Sequence, residues 1–217
     1  MSMIARWFAV EGSTRSLALI RIGLVLLLWD RFAGEFALFT CHDLASAAFS
    51  LLFFASTTAM LVGLATPIAA PLTAGVCLWI LYGMGVYGGV EPYQHHHIAL
   101  FAFLATWLAF SPCGRSLSVD RWLALRRGTA AFETGQLWAL RLISLQVFAA
   151  YAWATYEKLT PAFLGGARMQ EILVAQYGNS DPIGVPAFPT LCMVMACSAT
   201  AIEATLAVGL WFRRSRP

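Results

Sequence analysis

Six stretches of mostly apolar residues, each close to the length of a membrane crossing, divide this 217-residue chain: Leu17–Phe39, Leu44–Leu64, Ile68–Gly88, His97–Pro112, Leu137–Lys158 and Phe188–Phe212. A helix of about 20 apolar residues crosses the ~30 Å hydrocarbon core of a bilayer. Inside hydrocarbon each backbone N–H and C=O must be satisfied within the protein, so stretches of this kind fold as helices. The pattern predicts an all-α fold, a polytopic membrane helical bundle of about six transmembrane helices. Charged residues make up 12% of the chain, where a soluble domain carries roughly a quarter, and the mean hydropathy is +0.70. The net charge of +3 is too small to argue for nucleic acid as a partner. No polar stretch is long enough for a second folded unit, so residues 1–217 are expected to form a single domain. The start, MSMIARWFAVEGSTRS, reads as a short interfacial segment and not as a cleaved signal, because it lacks an apolar core followed by small residues.

Arginine placement predicts orientation, since short loops rich in Lys and Arg stay cytoplasmic. Along a six-helix path Arg6 and Arg15, then Arg115, Arg121, Arg126 and Arg127, then Arg213, Arg214 and Arg216 fall on one side. Both termini are therefore expected to be cytoplasmic, in a bacterial inner membrane. The opposite side collects Asp30, Arg31, Glu35, His42, Asp43, Glu91, His95, His96, His97, Glu157, Lys158, Arg168, Glu171 and Asp181. Ionisable groups at membrane depth are costly and usually face the bundle or a wet cavity. That convergence is the strongest pointer to a site. Thr160–Pro189 is long enough to fold over the membrane surface, with a short helix at Ala167–Gln176.

Lys158, the only lysine of the chain, ends the fifth apolar run beside Glu157. A lysine partly removed from water is more easily neutral and can act as a base; equally, it can snorkel to the interface and pair with a carboxylate such as Glu157 or Glu91. Three consecutive histidines on a helix point about 100° apart and cannot share one face. Glu91 and His95 are one turn apart if the fourth helix starts early, but a metal site needs a further converging ligand, and no metal is expected. One inward histidine holding a substrate or cofactor is the favoured reading. Asp30 reads as a partner for Arg31 or a neighbouring helix, and Arg141 as a partner for Glu203. Glycines in Tyr82–Gly89 permit close helix approach or open a ligand slot. Five cysteines show no C-x-x-C or metal-ligand spacing.

Four segments, RSLALIRIGLVLLLWDRF, HHHIALFAFLATWLAFSPCGRSLSVDRW, LRLISLQVFAAYAWATYEKLTPAFLGGARM and ATAIEATLAVGLWF, resemble in order and spacing the horizontally transferred transmembrane (HTTM) family. That family includes the vitamin K-dependent gamma-carboxylase and bacterial relatives. The resemblance implies Lys158, in Tyr-Glu-Lys-Leu, as the base acting on a quinone or hydroquinone, and His97 as its companion at the position of the family's Asn-Asn-His. His95 and His96 replace the two asparagines of that pattern. The chain is expected to lack the large lumenal domain that binds peptide in the carboxylase.

Two functions follow as expectations. In the first, the bundle is an enzyme at the outer membrane face with a quinone-like or lipid-like cofactor. Lys158 and His97 are then catalytic; His95, Glu91, Asp30, Tyr156 and Trp153 bind the cofactor, and a peptide substrate comes from another protein. In the second, the chain is a non-catalytic subunit of a larger membrane complex, contacting membrane lipids and protein partners. Transport is disfavoured, because neither an inverted repeat nor a pair of broken helices is evident.

Overall fold

The computed structural model describes residues 9–40, 42–129, 132–177 and 187–209. Arg6, Cys41, Asp181, Arg213, Arg214 and Arg216 lie outside them. The chain forms two compact units, Met1–Ile143 and Ser144–Pro217.

In the first unit a short strand β1 (Glu11–Ser13) leads into helix α1 (Arg15–Phe32), followed by α2 (Leu44–Val62) and α3 (Thr66–Leu78). The π-helical stretch Trp79–Tyr87 extends α3, and then come α4 (His96–Ala109), the short α5 (Val119–Arg126) and β2 (Thr134–Gln136). Strand β2 pairs antiparallel with β1, Gly12 facing Gly135. Helix α6 (Trp138–Lys158) passes from the first unit into the second, which holds α7 (Pro161–Leu164), α8 (Ala167–Tyr177) and α9 (Phe188–Gly209).

Among the described residues a helix forms within each of the six apolar stretches, and three helical runs are long and apolar enough to cross a membrane: Leu44–Val62, Thr66–Tyr87 and Phe188–Gly209. Helix α4 is apolar but shorter. Helix α1 carries Arg15, Arg21, Asp30 and Arg31, and α6 is interrupted by Arg141 and Gln146. The first stretch was expected to run to Phe39 but stops at Phe32, where Ala33, Gly34 and Glu35 form a turn. That turn folds Phe36 back, so that its ring stacks on Phe32 and meets Phe49 and Phe53 edge-on. Aromatic pairs of this geometry add to their area burial, which offsets the shortened helix.

Helix α2 starts on a capping box: Ser46 N–H donates to Asp43 Oδ1 (2.6 Å) and Asp43 N–H to Ser46 Oγ (3.2 Å). It ends at Gly63, whose φ of +70° is the left-handed conformation that suits glycine. Helix α3 lacks a side-chain cap of its own. Asp120 supplies one from α5, accepting from Ala65 N–H, Thr66 N–H and Thr66 Oγ1, each at 2.7 Å. Three bonds to one carboxylate are charge-assisted and correspondingly strong, so Asp120→Ala is expected to cost about 2 kcal/mol. Faster amide exchange confined to the first turn of α3 would be its signature; unchanged exchange there would count against the cap.

Arg21 ties the other elements to this corner. It is fully buried in α1, and its guanidinium donates to Leu117 O (2.6 Å) and Cys113 O (3.3 Å). Thr14 Oγ1 shares a 2.7 Å hydrogen bond with Ser116 Oγ. In the polar segment between α4 and α5 the carbonyls of Cys113 and Leu117 are thus paired, as burial of carbonyls demands.

Candidate functional site

Two places in the molecule concentrate polar chemistry. In the first unit a cavity of about 550 Å³ is lined by Phe36, Phe49, Trp79 and Tyr93, with Glu35, Thr40, Ser46 and Ser50 as its main polar groups. The π-helical stretch, a feature often found at functional sites, contributes Trp79 and Met84. Gly85 explains how the wall closes: a Cβ there would stand 3.0 Å from Tyr93 O, and Gln94 Nε2 donates to Gly85 O at 3.0 Å. The glycine segment therefore serves close approach of backbone.

The Tyr93 hydroxyl donates to Glu35 Oε2 (2.9 Å), while Arg31 pairs with Glu35 Oε1. Asp30 was expected to pair with Arg31 or a neighbouring helix; Arg31 pairs with Glu35, which the turn after α1 brings back to it. Burial, and next the Glu35 carboxylate, push the Tyr93 phenol from 10.0 up to about 12. A raised folded pKa means that the contribution of this bond is complete below pH 10 and is lost as pH rises from 10 towards 12. Ultraviolet titration is expected to show one phenol ionising late, near pH 12. Tyr93→Phe should remove that phase; its persistence would assign it to another tyrosine.

The histidines lie on the same unit in a different geometry from the one expected. His95 is extended (φ −64°, ψ 145°) and precedes α4, which begins at His96. Freed from helical spacing, the His95 ring stacks on His97 at 5.4 Å, and His96 meets His97 edge-on at 5.7 Å. His97 is half-buried against Phe101, whereas His95 and His96 are exposed. Glu91 is exposed on a separate 3₁₀ turn, Glu91–Tyr93, so the helical Glu91–His95 spacing does not exist. Asp30 is exposed at the end of α1. Among the described residues no three His, Cys, Asp or Glu side chains converge as a metal ion requires.

Lys158, in the second unit, is paired with Glu203 of α9. The sequence reading put Lys158 at a helix end with Glu157 or Glu91 as partner, and Glu203 deeper with Arg141. Glu157 instead accepts from Trp153 Nε1 at 2.8 Å, on the exposed side of α6 where the Trp153 and Tyr156 rings lie 5.7 Å apart. Three contacts in register define the level of the pair. Lys158 meets Glu203; Cys197 Sγ donates to Leu164 O (3.7 Å); a Cβ on Gly166 would stand 2.5 Å from Met193 N. Ascending numbers in one segment meet descending numbers in the other, so residues 158–166 run antiparallel along α9. At 1.5 Å per residue the pair sits roughly 22 Å along α9 from Phe188. Glu203 Oε2 and, one turn before Lys158, Thr155 Oγ1 are buried with no hydrogen-bond partner among the described residues. The Lys158 ammonium also lies 5.7 Å from the Phe163 ring centroid, a cation–π contact.

Residues 30–217 match the model of a family described as the HTTM domain. The chain belongs to this family. No curated protein and no solved structure matches it. The HTTM domain is a membrane-associated domain of vitamin K-dependent carboxylase-like proteins, in keeping with the apolar helices described above. Within this HTTM domain, sequence reasoning missed Tyr93 and Trp79, placed Glu35 only in the general group of outer-face charges, and gave Glu203 to Arg141 and not to Lys158. A single carboxylate inside the long apolar run of α9 was the available signal for Glu203. Glu35 and Tyr93 are brought together by turns and carry no local pattern.

Proposed function

We propose that this HTTM domain is a six-segment membrane bundle with both termini cytoplasmic, and that it is an enzyme using a quinone- or lipid-like cofactor drawn from the bilayer. Lys158 is its base. The ion pair between Lys158 and Glu203, set along an apolar helix, carries this reading. An ion pair in apolar surroundings is costly to hold, and ionisable groups at membrane depth mark function by default. Passing the proton from Lys158 Nζ to Glu203 Oε1 leaves a neutral amine and a neutral acid, and the amine can then accept a proton. The unpartnered Glu203 Oε2 and Thr155 Oγ1 offer further hydrogen-bonding positions to an incoming polar group.

The aromatic cavity of the first unit fits a planar ring: its volume is in the range of ligand pockets, its walls are aromatic, and Tyr93 and Glu35 supply a polar edge. A hydroquinone, when bound, supplies an acidic hydroxyl and two reducing electrons. His97, half-buried with a ring nitrogen to offer, is a further hydrogen-bonding group of the first unit; in the second unit Trp153 and Tyr156, on the exposed side of α6, offer rings to lipid.

The test begins with quinone-depleted protein in detergent. Regain of a bound chromophore on adding quinone, and its loss in Lys158→Ala, are the expected results. No uptake, combined with a chain that purifies stably only with stoichiometric protein partners, would replace the enzyme with a membrane subunit. Reporter fusions at each terminus check orientation, with cytoplasmic activity expected at both.

A further inference from the structure

The end of the first unit where α2 and α3 meet is a membrane boundary if these helices span. Both have the length and apolarity to cross, and only Gly63, Leu64 and Ala65 join them. Helix α5 is fastened to that turn: Asp120 N–H donates to Gly63 O (3.0 Å), and the Asp120 carboxylate holds Ala65 and Thr66. Whatever α5 displays is thereby held at headgroup level.

Trp122, Leu125 and Arg126 lie three and four residues apart and share one face of α5. Trp122 is 48% and Leu125 52% exposed, as is Leu117 (52%) just before the helix. The Arg126 guanidinium sits 4.0 Å from the centre of the Trp122 ring. Charge at this end is unevenly compensated. Glu133 is shared between Arg15 (2.8 Å) and Arg121 (2.5 Å), and Asp120 is occupied by the α3 cap. Arg126 and Arg127 are exposed without a carboxylate partner among the described residues, and exposed Arg115 donates only to Thr134 O, a neutral carbonyl. Aromatic and aliphatic side chains beside uncompensated guanidiniums are what an interfacial helix presents to anionic lipid.

We propose that α5 is a docking surface for the phosphate headgroups of anionic phospholipids. Trp122, Leu125 and Leu117 enter the upper acyl region, and Arg115, Arg126 and Arg127 hold phosphate oxygens. Arginine suits the task, because its planar fork matches phosphate geometry. A zwitterionic headgroup presents the same phosphate but brings its own cation to a surface that already has a surplus of them.

Native mass spectrometry of the full chain in mild detergent, titrated with phosphatidylglycerol or with phosphatidylcholine, tests the proposal. Phosphatidylglycerol is expected to bind roughly tenfold or more tightly than phosphatidylcholine. The R115Q/R126Q/R127Q variant should bring the two within about twofold, while R115K/R126K/R127K retains most of the preference. Should the triple glutamine chain not purify, R126Q/R127Q, which keeps the Arg115–Thr134 bond, carries the test. Equal binding of both lipids by the wild type, or an undiminished preference in the glutamine variants, would overturn the proposal. Competition by soluble glycerol phosphate at equal concentration would also overturn it, by showing a free-phosphate site in place of a lipid surface.

Discussion

Replacing Lys158 with methionine is expected to destabilise the protein by about 3 kcal/mol, the scale of cost for a lone carboxylate at membrane depth. Glu203 would lose the partner of Oε1 while Oε2 is already unsatisfied. Removing both charges, in Lys158→Met with Glu203→Gln, is expected to return stability to within about 1 kcal/mol of the wild type: the pair is half-buried, and even for a fully buried pair apolar or neutral replacements are often nearly neutral. Thermal unfolding in one detergent checks both. A double variant as unstable as the single one would mean that the pair itself, and not the stranded charge, holds α6 to α9. A stable double variant that has lost cofactor binding would separate the chemical role of the pair from its structural one.

Gly63→Ala is the second large effect. The left-handed φ of +70° costs a residue with a Cβ about 1–2 kcal/mol, and space is lacking as well. The new methyl would stand 2.5 Å from Ser118 Cβ and 2.9 Å from Ser118 Cα, and would press on the Arg21 guanidinium. Backbone cannot yield as a flexible side-chain tip does, and overpacking adds about 1–3 kcal/mol. A total of about 3 kcal/mol or more is expected, seen as a lower unfolding temperature. Gly128→Ala, also at positive φ (+71°) but in open space, isolates the conformational share and should cost only about 1–2 kcal/mol. Equal losses at the two positions would show that the Arg21 corner is looser than its contacts imply.

The reading of the sequence succeeded where local physics decides. Apolar length located a helix in each of the six stretches, three of them long and apolar enough to cross a membrane, and the short helix expected at Ala167–Gln176 forms at Ala167–Tyr177. It failed where distant segments meet. The acceptors of Arg21, Cys113 O and Leu117 O, lie some ninety residues away and carry no side-chain pattern. The three histidines were treated as helical neighbours; an extended His95 undid that reasoning. The partner of Lys158 was misjudged: Glu203, 45 residues on, takes the place of Glu157 or Glu91. In the fold the chain continues from Lys158 along α9 for another eight residues before α8 begins. Periodicity cannot reveal that a loop returns along the helix that follows it.

The pair of Lys158 and Glu203 as the working centre of this HTTM domain is tested most directly by mass spectrometry of everything that co-purifies in mild detergent. Wild type and the Lys158→Met, Glu203→Gln double variant are compared at equal stability. The expected result is a bound quinone or other redox lipid in the wild type, without stoichiometric protein partners, and its loss from the double variant. Stoichiometric partners with no small molecule, or the same bound molecule at the same occupancy in both chains, would contradict it.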